Sequence, residues 1–213
     1  STERMTQRIQ MNPTIKDGMN SLQRLLKRAF DLVGSLLALI LLSPLMGIIA
    51  LLIYREKSGP ILYRQERIGR GGKPFNILKF RTLPVDHETH GPSLSAHCQG
   101  ATPLMRALRD HHLDELPQLW NILMGDMSFV GPRPERKFYI DMIMAQNPDY
   151  AYLYCMRPGL TSWATVCNGY TDTMEKMLIR LQMDLCYLQK RSLWTDFKII
   201  LTTANYIING KKI

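Results

Sequence analysis

The densest run of reactive side chains is RDHHLDELPQLWN, residues 109–121. Asp114 and Glu115 are adjacent, so on a regular helix they would point about 100° apart and would not face one target. They converge if the helix starts or breaks there, and Pro117 supplies such an irregularity. Two neighbouring carboxylates suit a hard divalent cation, above all Mg²⁺ shared with substrate phosphates. The plain alternative is a solvated pair at a helix end. Arginines weigh against that alternative: Arg81 in KFRT, Arg109 five residues before Asp114, Arg133 in GPRPE and Arg157 in RPG. Prolines and glycines beside Arg133 and Arg157 make rigid turns that hold a guanidinium in place. Arginine binds phosphate in a bidentate manner, so arginines beside metal-binding carboxylates point to phosphoryl transfer. No GxxxxGK[ST] or GxGxxG motif occurs, so no P-loop or Rossmann turn would hold a nucleotide.

Other reactive groups read more simply. His87, His90, His97 and Cys98 match no zinc template and fall in a stretch rich in His, Pro, Gly and Ser, residues 84–100, that reads as a loop. His111 and His112, beside the acidic pair, read as exposed helix positions or as substrate contacts. Trp120, Trp163 and Trp194 read as core or interface anchors. The four cysteines are far apart with no CxxC pair, as expected of reduced thiols.

The positioning elements follow from charge and hydropathy. The chain of 213 residues has a net charge of +9, and this excess is local. Residues 1–28 carry six Lys or Arg against two acids, residues 55–81 carry eight against two, and residues 82–213 are neutral. The two basic blocks flank LVGSLLALILLSPLMGIIALLIY, residues 32–54, which hold no charge. As a helix this segment would span roughly 35 Å, the thickness of a bilayer core. Proline in mid-helix removes a hydrogen bond and clashes with the preceding turn, so Ser43-Pro44 predicts a break. Ser43 can satisfy the carbonyl so freed. Arg24, Lys27 and Arg28 before the segment, and Arg55, Lys57, Arg64, Arg67 and Arg70 after it, place both flanks in the cytoplasm. The expected topology is a re-entrant hairpin, with Asp31 at headgroup level paired to Lys27 or Arg28. A basic collar of this kind attracts anionic lipid. A nucleic-acid partner does not fit a neutral C-terminal two-thirds.

Residues 1–18 read as a loose segment, residues 19–57 as a basic lead-in plus re-entrant helix, and residues 58–213 as one cytosol-facing domain. Within it, residues 59–82 predict a β-hairpin about the glycines at 69–72. Residues 102–124 predict a helix interrupted at Pro117. Residues 174–191 show helical periodicity at Met177, Leu178, Leu181, Leu185 and Leu188. A last helix ends at Gly210. The expected class is α+β, predominantly helical and monotopic, with amphipathic helices at the interface.

Five blocks carry a family likeness: KRAFDLVGSLLALILLSPL, GPILYRQERIGRGGKPFNILKFRT, LDELPQLWNILMGDMSFVGPRPE, RPGLTSWATV and DL-x-YL-x-x-RSLWTDFKII. In content and order they resemble the bacterial sugar transferases, the monotopic phosphoglycosyl transferases, over about residues 25–205. The length is similar to the minimal members, which have the catalytic domain alone. The resemblance implies transfer of a sugar-1-phosphate from a UDP-sugar to polyprenyl phosphate, with release of UMP, at the cytoplasmic face of the bacterial inner membrane. It implies Asp114 as the nucleophile of a covalent phosphosugar–aspartate, Glu115 as its Mg²⁺-binding partner, and Arg109 and Arg133 as phosphate ligands. Arg81 falls in the matching KFR block. The turn with Pro132 and Pro134 belongs to the nucleotide site, and the break at Ser43-Pro44 matches the family's re-entrant helix. The chain departs from the family's PGITGWAQVNGR at Ser162, Thr165 and Tyr170, which removes a common arginine that Arg157 would replace. His111 and His112 stand where Thr-Ser is frequent. The rival expectation is an inactive membrane-tethered scaffold or sugar-nucleotide binder, which would not need LDELPQ together with Arg109 and Arg133. The sugar and the oligomeric state are left open.

Overall fold

The computed structural model describes residues 15–56, 59–82, 101–168 and 173–208. It is a mostly helical α+β fold built along one long apolar helix, α1 (Ser21–Arg55). Asn20 caps α1, its side chain accepting from the Gln23 amide at 2.8 Å. The absence of charge from residue 32 to 54 lets the helix run on through hydrophobic surroundings. Its most apolar window has a mean hydropathy of 2.8 and is only 11% buried, whereas a soluble protein's core helix would be mostly covered. Leu25, Val33, Leu37, Leu41, Ile48 and Leu51 form an apolar face open to the surroundings. That face fits association with a membrane.

The expected break at Ser43-Pro44 is not seen as a break. Helical structure is continuous from Ser21 to Arg55 with Pro44 inside it. Proline has no N–H to give the carbonyl four residues back, which is that of Ile40. The Ser43 hydroxyl donates to this Ile40 carbonyl at 2.8 Å, so the lost bond is replaced.

The opposite face of α1 carries the rest of the protein. Ala38, Leu39 and Leu42 pack on Ile77, Leu119, Ile122 and Met127. Met46, Ile49, Ala50 and Ile53 pack with Phe80 and Leu108. The first turns are docked by charge. Lys27 ion-pairs with Asp196 and donates to the Val130 carbonyl at 2.9 Å. Arg28 donates to the Ile122 and Leu123 carbonyls at 2.7 and 2.9 Å. Asp31, 1% exposed, accepts from the Ser128 hydroxyl and the Phe129 amide, both at 3.1 Å. These three side chains therefore face the protein interior rather than headgroups. The reason is that each has a backbone partner in the strand Ser128–Val130 or at the end of the seven-residue helix Gln118–Met124.

The hairpin falls where the glycines predict it. Strands β1 (Leu62–Ile68) and β2 (Pro74–Phe80) are antiparallel, from Leu62 opposite Phe80 to Ile68 opposite Pro74. Gly71 and Gly72 take φ of 70° and 71° in the turn, a region open to glycine. Then come α2 (Pro103–Asp110), a 3₁₀ turn (Leu113–Glu115) and α3 (Gln118–Met124). The interruption of this region comes earlier than expected, at His112, whose φ of 54° is left-handed. Pro117 instead starts α3. Strand β3 (Ser128–Val130) pairs in parallel with β4 (Gly159–Thr161). Between them lie α4 (Lys137–Gln146) and a 3₁₀ segment (Pro148–Cys155). Helices α5 (Trp163–Asn168), α6 (Met174–Lys190) and α7 (Leu193–Ile208) complete the order. Val130, Ile140, Ile143, Leu153, Leu181 and Ile199 form the largest core cluster and join β3, α4, the 3₁₀ segment, α6 and α7.

Residues 1–14, the loop at 84–100 with its histidines and Cys98, Tyr170 and Gly210 lie outside the described residues. Residues 15–18, expected to be loose, are fastened. The Gly18 amide donates to the Leu188 carbonyl at 2.9 Å, and Arg191 donates through Nε to Asp17 at 2.7 Å. Trp120, Trp163 and Trp194 are 50%, 46% and 63% exposed, which removes the core reading and leaves that of interface anchors. Cys155, Cys167 and Cys186 are free thiols.

If Asp31 docks α1, Asp31→Ala leaves the Phe129 N–H and Ser128 hydroxyl without their acceptor, a loss of roughly 2 kcal/mol. Thermal melting in detergent should show it, with Asp31→Asn losing less. Melting of Asp31→Ala at the native temperature would refute the docking role.

Candidate active site

The 3₁₀ turn after α2 decides where the two carboxylates point. With three residues per turn, neighbours diverge by about 120°, more than on an α-helix. Asp114 accordingly turns inward and is 8% exposed. Glu115 faces a cleft between the hairpin, α3 and the turn after β3. The cleft is lined by Arg67, Lys79, Glu115, Gln118, Arg133 and Thr165. Strand β2 delivers Lys79, whose Nζ is 2.6 Å from Glu115 Oε1.

The two carboxyls are driven apart by their surroundings. Burial, only partly offset by Lys79, raises Asp114 from 3.8 to about 6, and the neighbouring Glu115 charge adds to the rise. Arg109 and His112 pull it back down. Burial would also raise Glu115, but Lys79 and Arg133 outweigh it and hold that carboxyl at about 2. Lys79 is thus the largest charge acting on both. The left-handed His112 sits close enough to act on each, while His111 is exposed.

Arg133 stands in the GPRP turn, and this turn is held from behind. The Gly131 amide donates to the Thr161 carbonyl at 3.1 Å, and the Gly159 amide donates to the Pro132 carbonyl at 2.9 Å. A Cβ at Gly131 would lie 2.3 Å from the Arg157 carbonyl oxygen, and one at Gly159 would lie 2.1 Å from the Gly131 nitrogen. Only glycine permits these turns to stand back to back. The Pro134 carbonyl accepts from Arg67 at 3.0 Å and Pro134 lines the cleft.

Of the arginines expected here, Arg109 and Arg133 act on the carboxylates and the other two are engaged elsewhere. Arg81 is buried, donates through Nε to the Pro60 carbonyl at 3.0 Å and lies 5.6 Å over the Tyr63 ring. Arg157 donates through Nε to the Gly125 carbonyl at 2.8 Å, past the C-terminal end of α3. It does not line the cleft. Ser43 and Pro44 are on α1, apart from the cleft. Lys79, Arg67 and Gln118 were not anticipated. Strand alternation puts Lys79 on one face of β2 with Ile77, and both line the cleft.

Among the described residues no three His, Cys, Asp or Glu side chains form a metal cluster. Mg²⁺ needs only one or two carboxylates and draws its other oxygens from substrate phosphates and water, so it does not depend on such a cluster.

The sequence model of the bacterial sugar transferases matches residues 22–210. The UDP-N-acetylgalactosamine-undecaprenyl-phosphate N-acetylgalactosaminephosphotransferase of Aeromonas hydrophila is 34% identical over 98% of this chain and 51% of its own length. The UDP-glucose:undecaprenyl-phosphate glucose-1-phosphate transferase of Caulobacter vibrioides is 45% identical over 84% of this chain and 68% of its own. The exopolysaccharide production protein PSS of Rhizobium leguminosarum bv. phaseoli is 35% identical over 87% of this chain and 97% of its own. The chain thus spans about half the length of the Aeromonas relative and about two thirds of the Caulobacter one.

The raised Asp114 has a measurable consequence. A carboxyl raised on folding contributes stability that is complete below 3.8 and lost as pH climbs through about 6. Asp114→Asn should therefore be more stable than the native chain at pH 8 by on the order of 2–3 kcal/mol, with the gap closed at pH 4. Denaturation of EDTA-treated protein across this range reads it; a gap independent of pH would contradict the burial of a charge. Glu115 has the opposite sign: its contribution is present above 4.5 and fades as pH falls towards about 2.

Proposed function

The chain belongs to the bacterial sugar transferase family, and on that premise we propose that it moves a sugar-1-phosphate from a UDP-sugar to polyprenyl phosphate. The observation that carries the reading is the pair Asp114 and Glu115 with opposed acidities: Glu115 opens on the cleft with Lys79 and Arg133, and Asp114 is buried next to it. Two carboxyls separated in this way suit two roles. Asp114, ionised at pH 7 yet more basic than an ordinary aspartate, is suited to attack phosphorus. Glu115 stays charged at any physiological pH and is suited to hold a cation.

In the proposed sequence Asp114 Oδ forms a bond to the phosphorus that bears the sugar. The bridging P–O bond breaks and UMP leaves with its electron pair. An oxygen of polyprenyl phosphate then attacks the same phosphorus and releases the Asp114 carboxylate, giving polyprenyl-diphosphate sugar. Arg133 and Lys79 oppose the charge of the diphosphate, and Arg109 steadies the Asp114 side. Two displacements let a soluble donor and a lipid acceptor use one site in turn. Mg²⁺, held by Asp114 and Glu115, would polarise the phosphoryl oxygens and offset repulsion between carboxylate and diphosphate.

The proposed topology is re-entrant, with both ends of α1 at the cytoplasmic face of the inner membrane. Supporting it, the same globular body packs on α1 before Pro44, at Arg28, Asp31 and Leu39, and after it, at Ile49 and Ile53. A helix crossing to the far side would carry its first turns away from that body.

With UDP-sugar and Mg²⁺ alone, the protein should release one UMP per site and gain the mass of a sugar phosphate. Asp114→Asn should abolish both, and EDTA or Glu115→Gln should slow turnover by about 10²-fold or more. Turnover that needs both substrates together, with no adduct, would exclude the two-step reaction. For the topology, Asn20→Cys and Pro60→Cys in a chain lacking native cysteines should each react only with reagents that reach the cytoplasm. Labelling of Asn20→Cys from the opposite side would mean a spanning helix.

A further inference from the structure

Behind Arg133 lies a carboxylate that the proposed reaction leaves unused. Glu135 follows the GPRP turn, and its side chain is 14% exposed. Its Oε1 lies 3.3 Å from Arg180 Nη1 and 3.9 Å from Arg133 Nε, and its Oε2 lies 3.8 Å from Arg67 Nη1. One carboxylate thus gathers guanidiniums from β1, from the turn and from α6. The backbone reinforces the junction: the Ile68 amide donates to the Glu135 carbonyl at 3.1 Å, and Arg67 donates to the neighbouring Pro134 carbonyl.

The three arginines are not equally free to move. The side chains of Arg180 and Arg67 are 8% and 16% exposed, and Arg133 is 39% exposed. Like charges at this spacing repel; Asp184 acts on Arg180 and Glu115 on Arg133, but Glu135 is the carboxylate that all three arginines share. Without it, the two buried guanidiniums are confined by packing, and Arg133 is the one that can swing into solvent. Arg133 is also the member that lines the cleft and acts on Glu115. Glu135 does not line that cleft.

We infer that Glu135 is a positioning residue: by gathering Arg67, Arg133 and Arg180 it holds the Arg133 guanidinium at the cleft, where it meets a diphosphate. The inference rests on the reading of the cleft as a diphosphate site. Glu135 acts through Arg133 and touches no substrate, so its effect vanishes when the Arg133 guanidinium is absent.

A double-mutant cycle on the full chain in lipid nanodiscs tests this, with UDP and uridine affinities read by calorimetry and folding by thermal melting. Glu135→Gln and Arg133→Ala should each weaken UDP by about tenfold and leave uridine unchanged. The double variant should bind UDP no more than about twofold worse than Arg133→Ala alone. Losses that multiply, or UDP binding by Glu135→Gln at native or greater strength, would overturn the inference while leaving the diphosphate site intact. If Glu135→Gln does not fold, Glu135→Asp in both backgrounds completes the cycle, with a smaller loss expected beside Arg133 and none beside Ala. No UDP binding by the native chain would overturn the reading of the cleft itself, and the inference with it.

Discussion

Three charges at the start of an apolar helix set the terms for this protein. Hydrocarbon offers no partner to a charge, and Lys27, Arg28 and Asp31 each find theirs in the protein. They find them at β3 and at the end of α3: the Val130 carbonyl with Asp196, the Ile122 and Leu123 carbonyls, and the Ser128–Phe129 backbone. That docking fixes β3 relative to α1. Because the GPRP turn continues from β3, and α3 continues from the carboxylate turn, both walls of the cleft stand at a set distance from the apolar face. The proposed transfer from a soluble donor to a lipid acceptor needs this kind of fixed height.

The proposed reaction depends on keeping two adjacent carboxyls chemically distinct. The 3₁₀ geometry sends Asp114 inward and Glu115 into the cleft, and the left-handed His112 is what permits the turn after α2. Lys79 then does unequal work. It touches Glu115 at 2.6 Å and acts on Asp114 only through space. The result is one carboxylate that stays charged and one that titrates near neutrality. Replacing the 3₁₀ turn by regular helix would change the angle between them and also their burial, so backbone geometry and acidity are a single property here.

How much of this is legible in the sequence follows from the range of each interaction. The β1–β2 hairpin and α6 are local, and the glycines at 69–72 and the apolar period of Met177, Leu181 and Leu188 place them correctly. Asp114, Glu115, Arg109 and Arg133 sit within 25 residues of one another; Glu115 and Arg133 line one cleft, while Asp114 turns inward beside it and feels Arg109. The parallel β3–β4 pair is invisible because each strand has three residues, too few for a period, and the partners lie about 30 residues apart. Arg157 beside a proline-glycine turn reads as a phosphate ligand, yet its turn abuts Gly131 and its guanidinium goes to the Gly125 carbonyl. Asp31 reads as a headgroup residue because its partners, Ser128 and Phe129, are nearly a hundred positions away. Charge counts locate the basic flanks, but they do not tell a lipid contact from an internal bond.

Ser43 and Pro44 pose the same problem at the middle of α1. In water, a carbonyl freed by proline is taken up by solvent. In hydrocarbon it is not, and a bare carbonyl there costs several kcal/mol, in the range of roughly 2–7. Proline alone would therefore be a poor way to weaken a membrane-embedded helix. Serine at the preceding position changes this, because its hydroxyl reaches the Ile40 carbonyl that Pro44 leaves without a donor. The pair removes the backbone bond that resists bending while keeping the carbonyl satisfied, so the helix stays continuous and gains a soft point. Continuity of α1 and a re-entrant path are compatible for this reason: bending at Ser43-Pro44 exposes no unpaired group to lipid. Neither residue achieves this alone, since Ser43 without Pro44 competes with an intact bond and Pro44 without Ser43 leaves Ile40 bare.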